Sequence, residues 1–131
     1  MRGLERALVI GGAGFYGGWL VAKLAAQGIE TTVLDRNADP TAPGVARAVL
    51  GEAHEIDLVG LIHETRADAI FQLAGTGLVP TSISDPMGDL LVNVRTTVAT
   101  LEAARSVPPP PLVLLVSSAA VYGEQQQLTM D

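Results

Sequence analysis

Apolar and polar positions follow two rhythms along this chain. Four short, nearly continuous apolar runs, at 7–10, 31–34, 69–73 and 112–116, read as β-strands buried on both faces of a sheet. A weaker run at 54–59 reads as a further short strand. Between these runs the spacing turns helical. Segment 15–27 carries apolar residues at Phe15, Trp19, Leu20, Val21, Leu24 and Ala25, and Gly28 follows as a C-terminal cap. Segments 44–52 and 60–66 each predict a short helix. The clearest helix is 85–105. Asp85 is a good N-cap and Pro86 suits the first helical position. Leu90, Leu91, Val94, Val98, Leu101 and Ala104 then form an apolar stripe, and Arg105 suits the negative end of the helix dipole. Pro108-Pro109-Pro110-Pro111 stops the helix and predicts a stiff helix-to-strand loop, with a proline-recognition ligand as the other reading.

This alternation predicts an α/β fold: one domain over 1–131, with a doubly wound parallel sheet and helices on both faces. Right-handed crossovers put the first strand in the centre and give the order 3-2-1-4-5. Ligands of such sheets bind at the carboxyl ends of the strands. That edge receives the segments starting at Gly11, Asp35, Ala74 and Ser117.

Composition narrows the picture. At 131 residues and 48% hydrophobic, the chain can bury a core without staples. It has no cysteine, so disulfides, cysteine-ligated metals and thiol nucleophiles are excluded. Eight basic against 14 acidic residues leave a net charge of −6, which disfavours nucleic acid and anionic membrane surfaces as partners. No apolar run approaches the length of a membrane span. Arg2 and Arg6 before the first apolar run mimic a secretory leader, but Glu5 interrupts them and Gly11-Gly12 ends the run. The expectation is a soluble cytoplasmic protein.

The strongest chemical signal is Ile10-Gly11-Gly12-Ala13-Gly14-Phe15-Tyr16-Gly17-Gly18, which holds five of the 14 glycines. It follows a predicted strand and opens a predicted helix, the context that gives such a motif meaning. Gly11 permits the tight turn. Gly14 lets the backbone approach a pyrophosphate, and Gly17 lets the helix pack close to the sheet. The pyrophosphate would rest on unpaired N–H groups at the helix start, so no lysine is needed. Asp35 ends the second strand, 18 residues after Gly17. A carboxylate there can accept both adenosine ribose hydroxyls and repels a 2′-phosphate, which favours NAD over NADP. Arg36 pulls the other way, because a neighbouring guanidinium can accommodate that phosphate.

Together these pieces resemble the extended branch of the short-chain dehydrogenase/reductase superfamily, the NAD-dependent nucleotide-sugar epimerases and dehydratases, with a Rossmann-type fold. The glycine segment, including Phe15 and Tyr16, is similar to that branch's TGGAGFIG fingerprint. Asp57-Leu58 resembles the pair that meets the adenine. Gln72-Leu73-Ala74-Gly75 resembles the HLAA segment beside the cofactor ribose. Asp85-Pro86, Asn93-Val94 and Leu101-Glu102-Ala103-Ala104 resemble the DP…NV…LLEAA helix, and Val116 to Gly123 the VSSAAVYG segment. The resemblance implies cofactor contacts at Gly11, Gly14, Phe15, Tyr16, Gly17, Asp35, Arg36, Asp57, Leu58, Leu73, Ala74, Gly75 and Asn93. It implies a catalytic role for Ser118, hydrogen-bonded to the substrate oxygen. It also implies a nucleotide-sugar substrate and a homodimer through the 85–105 helix.

The family's general base, the tyrosine of Tyr-x-x-x-Lys, does not occur in this sequence. The lone lysine, Lys23, follows Trp19 by four residues. The ending Leu128-Thr129-Met130-Asp131 resembles the start of the family's next loop, so the expectation is an N-terminal part, inactive by itself. The rival readings are a non-catalytic dinucleotide-binding sensor or partner module, and a reductase of small carbonyl compounds. No metal site is expected. His54 and His63 lack a second ligand at metal spacing and read as surface residues. Trp19 and Phe71 read as packing residues.

Overall fold

The computed structural model describes residues 3–77 and 79–123. Arg2 and the 128–131 segment therefore lie outside the described residues. The elements run β1 (Arg6–Ile10), α1 (Phe15–Ala26), β2 (Glu30–Asp35), β3 (Arg47–Leu50), α2 (Leu58–Thr65), β4 (Ala69–Gln72), α3 (Val79–Ser84), α4 (Pro86–Ser106) and β5 (Leu112–Leu115). A single 3-10 turn, Ala119–Tyr122, follows. All strand pairs are parallel and the order is β3-β2-β1-β4-β5, as the crossover rule predicts.

The central strands alternate between two cores. Ala7, Val9 and Val33 join Val21 and Leu24 of α1 on one face. Leu8, Ile10, Leu34 and Ile70 join Leu61 and Ile62 of α2 and Ala103 and Ala104 of α4 on the other. The expectation of burial on both faces therefore holds for the middle of the sheet. It fails for β5, at the edge of the sheet, where Leu112, Leu114 and Leu115 are exposed.

Two readings of the middle of the chain are corrected. Segment 44–52 is no helix; it contains β3, bracketed by Gly44 and Gly51, both at positive φ. Such glycines end regular helix. Segment 54–59 is not a strand, and no helix joins β2 to β3. The apolar stripe of α4 faces outward: Leu90, Leu91, Val94, Val98 and Leu101 are exposed, while Thr96, Thr100, Ala103 and Ala104 are buried. Small side chains suit the inner face because α4 lies against α2 and the sheet. The Thr100 hydroxyl is satisfied locally, donating to the Thr96 carbonyl at 2.8 Å. Helix caps fall where expected: Asp85 accepts from Gly88 N at 3.0 Å, and Gly28 follows α1 with φ +75°. Among the described residues no helix is long and apolar enough to cross a membrane.

Candidate functional site

The carboxyl edge of the sheet opens into a cleft of about 270 Å³. Its lining comes from the ends of four strands and from α4. β1 contributes Ile10, Gly11, Ala13 and Gly14; β2 contributes Asp35, Arg36 and Asn37. The segment after β3 gives Gly51, Glu52 and Ala53, and that after β4 gives Leu73 to Thr76. Val92 and Thr96 of α4 close one side.

The β1–α1 turn is built by its own backbone. Gly11 N donates to Leu34 O at 2.8 Å and Gly14 N to Gly11 O at 3.2 Å. Gly11 has φ +84°, and a Cβ there would lie 2.6 Å from Ala74 N. A Cβ at Gly17 would lie 2.3 Å from Gly11 O, so close helix–sheet packing requires glycine there. Gly14 differs: its backbone is extended, and an added Cβ would meet only Gly11 O, at 3.3 Å. Apart from that one contact the position is open. Gly14 is also the N-cap of α1, with no side-chain cap, and the first turn holds no acidic residue. The site is a helix start with donors open to an anion.

Asp35 stands beside this turn. One carboxylate oxygen accepts from Ala13 N at 3.1 Å, the other from Asn37 N at 2.9 Å. Each oxygen keeps a second lone pair for ligand hydroxyls. The same carboxylate thus fixes the glycine turn and faces the cleft.

A family model described as "NAD dependent epimerase/dehydratase family" matches residues 7–131. The chain belongs to that family. It is 36% identical over 126 residues to a UDP-glucose 4-epimerase of Mycolicibacterium smegmatis, covering 90% of this chain and 40% of that protein. It is 31% identical to a CDP-paratose 2-epimerase of Salmonella typhi, covering 93% of this chain and 39% of the relative. Among solved structures, a UDP-glucose 4-epimerase from Brucella ovis in complex with NAD superposes with a TM-score of 0.85 at 30% identity. That match covers 95% of this chain and 39% of the other. The chain therefore spans about 40% of the length of these epimerases.

Within this epimerase/dehydratase fold the expected site residues separate into groups. Gly11, Gly14, Asp35, Arg36, Leu73, Ala74 and Gly75 line the cleft. Gly17 is buried beneath the turn. The side chains of Phe15 and Tyr16 are exposed and stack edge-to-face on one another, so only their backbone stands at the helix start. Asn93 does not line the cleft; it ties down the loop after β4, accepting from Thr76 N at 2.9 Å and donating to Thr76 Oγ1 at 3.0 Å. Ser118 lies just past β5, exposed and outside the cleft lining.

Asp57 and Leu58 are not among the residues lining this cleft. Asp57 caps α2, accepting from Gly60 N at 2.9 Å, and Leu58 is buried in the core. The strand-end positions that face the cleft are Gly51, Glu52 and Ala53 instead. His54 is not a surface residue either, since its side chain is only 10% exposed. It lies 3.6 Å from Glu52 and 3.5 Å from the hydroxyl of Thr96. His63 is exposed as expected. Phe71 packs against the core while Trp19 is 68% exposed, on the outer side of α1. Among the described residues no group of side chains could hold a metal.

Proposed function

We propose that this chain is the NAD-holding part of a nucleotide-sugar epimerase or dehydratase that works by transient oxidation of a sugar hydroxyl. The observation that carries the reading is the uncapped start of α1 behind Gly14, a position open apart from one contact. In this reading the first-turn N–H groups hold the pyrophosphate and Asp35 accepts the adenosine ribose hydroxyls. The end of β3, at Gly51, Glu52 and Ala53, walls the adenine. Leu73 to Gly75 run beside the nicotinamide ribose, in a loop whose course Asn93 fixes. Bound NAD supplies a hydride acceptor that later returns the hydride. Ser118 orients the substrate hydroxyl, and no Tyr-x-x-x-Lys occurs in the sequence to take its proton. The relatives, among them a UDP-glucose 4-epimerase, a CDP-paratose 2-epimerase and a dTDP-glucose 4,6-dehydratase, support the nucleotide-sugar class. The exposed stripe of α4 supports a homodimer through that helix.

The test is Gly14→Val, read by calorimetric titration with NAD. Position 14 has φ −72°, which any residue adopts, so the fold should survive with an unchanged far-ultraviolet spectrum. NAD binding should disappear. Retained affinity in a folded variant would overturn the placement of the pyrophosphate.

A further inference from the structure

We propose that Glu52 is a specificity-determining residue of the cofactor cleft: positioned by His54, it engages the Arg36 guanidinium and withholds that cation from a 2′-phosphate. This rests on the cofactor reading above. Asp35 alone leaves the choice between NAD and NADP ambiguous, because Arg36 follows it directly and both line the cleft. A guanidinium there is the group that would accept the extra phosphate.

The structure resolves this ambiguity through a residue from the neighbouring strand. Arg36 Nε lies 3.5 Å from Glu52 Oε1, across the ends of β2 and β3. The other oxygen, Glu52 Oε2, lies 3.6 Å from His54 Nε2. His54 Nδ1 in turn lies 3.5 Å from Thr96 Oγ1, on the buried face of α4. A polar chain thus runs Thr96, His54, Glu52, Arg36, with His54 behind the three that line the cleft. Its ends differ in freedom. The Glu52 side chain is 25% exposed and the Arg36 side chain 73%. The carboxylate is the anchored member and the guanidinium comes to it.

An ion pair with so exposed a partner adds little to folding stability. Its consequence lies with the ligand. A 2′-phosphate entering this corner meets two carboxylates, Asp35 and Glu52, against one guanidinium that is already engaged. Selection therefore has an attractive part, Asp35 toward ribose hydroxyls, and a repulsive part, Glu52 against phosphate. His54 acts through Glu52 and is a positioning residue.

The experiment measures NAD and NADP dissociation constants by titration calorimetry for the wild type, Glu52→Gln, His54→Gln and the double variant Glu52→Gln/Arg36→Ala. Glu52→Gln keeps the shape and removes the charge. It should raise the NADP-to-NAD affinity ratio about tenfold, the effect expected of one unopposed guanidinium beside a phosphate. His54→Gln should move the ratio the same way by a smaller factor. Adding Arg36→Ala should bring the raised ratio back down, because the freed cation is then gone. An unmoved ratio in Glu52→Gln, with NAD still bound, would overturn the proposal, as would a raised ratio that Arg36→Ala does not reverse. An unmoved ratio in His54→Gln would overturn the positioning role. Failure of the wild type to bind either nucleotide would overturn the underlying cofactor reading instead.

Discussion

Gly14 and Gly17 stand three residues apart in one motif and answer to different constraints. At Gly17 an added Cβ would lie 2.3 Å from Gly11 O and 2.6 Å from Gly12 Cα, both backbone atoms of the turn. Neither atom can retreat without opening the link from β1 to α1. Gly17→Ala should therefore cost stability, about 1–3 kcal/mol or more, and lower the midpoint of thermal unfolding. Gly14→Val should leave that midpoint nearly unchanged while removing NAD. A Gly17→Ala variant as stable as wild type would show that close packing is not what holds glycine there. Sequence spacing marked both residues as special, and Asp35 too, because their roles are local to one strand end and the turn beside it. Glu52, His54 and Thr96 were not legible in the same way. They come from two segments far apart in sequence, and only the folded order β3-β2-β1-β4-β5 brings Glu52 and Thr96 to the cleft beside Asp35.

The element least legible in the sequence was β3. Its four residues, Arg47 to Leu50, form too short a run to separate strand from helix by periodicity. Asp57 enters as an adenine contact only through the family resemblance, as an acid before an apolar residue. The acid at the actual strand end is Glu52, two residues past Leu50 and next to Gly51. The logic that found Asp35 at the end of β2 would have found Glu52 had the strand been placed. Asp57 serves α2 instead, which gives a clean test. Asp57→Ala removes the carboxylate that accepts from Gly60 N at 2.9 Å. Stability should fall by about 1 kcal/mol, the usual effect of losing an N-cap, with the NAD dissociation constant unchanged. A matched loss of NAD affinity in a folded variant would return Asp57 to the cofactor site. α4 was legible in its span, its caps and its apolar stripe. An apolar stripe on a helix shows which side avoids water, not whether this chain or another supplies the cover.

At the scale of the whole molecule, apolar surface is distributed unevenly. β1, β2 and β4 are buried between two well-filled cores, with Leu8, Val9, Ile10 and Ile70 at 0–1% exposure. Yet α4 shows Leu90, Leu91, Val94, Val98 and Leu101 at 45–54% exposure along one side. Scattered exposed leucines need no explanation, but a continuous helical stripe is the surface that the proposed homodimer would cover. The cofactor cleft meets the same helix at Val92 and Thr96, so α4 separates the ligand on one side from the stripe on the other. In the proposed homodimer, two copies of the stripe pack together about a two-fold axis and each covers the other's leucines and valines. Replacing Val94 and Val98 together by glutamate places four carboxylates in that seam per dimer. The double variant should sediment as a monomer at concentrations where wild type is dimeric, because unpaired buried charge is strongly disfavoured. NAD affinity should stay within about threefold of wild type, since neither side chain lines the cleft. A wild type that sediments as a monomer, or a double variant that remains dimeric, would remove α4 from the interface. Loss of NAD binding on dissociation would mean instead that the partner helps hold the loop that Asn93 ties down, and that cleft and seam function as one unit.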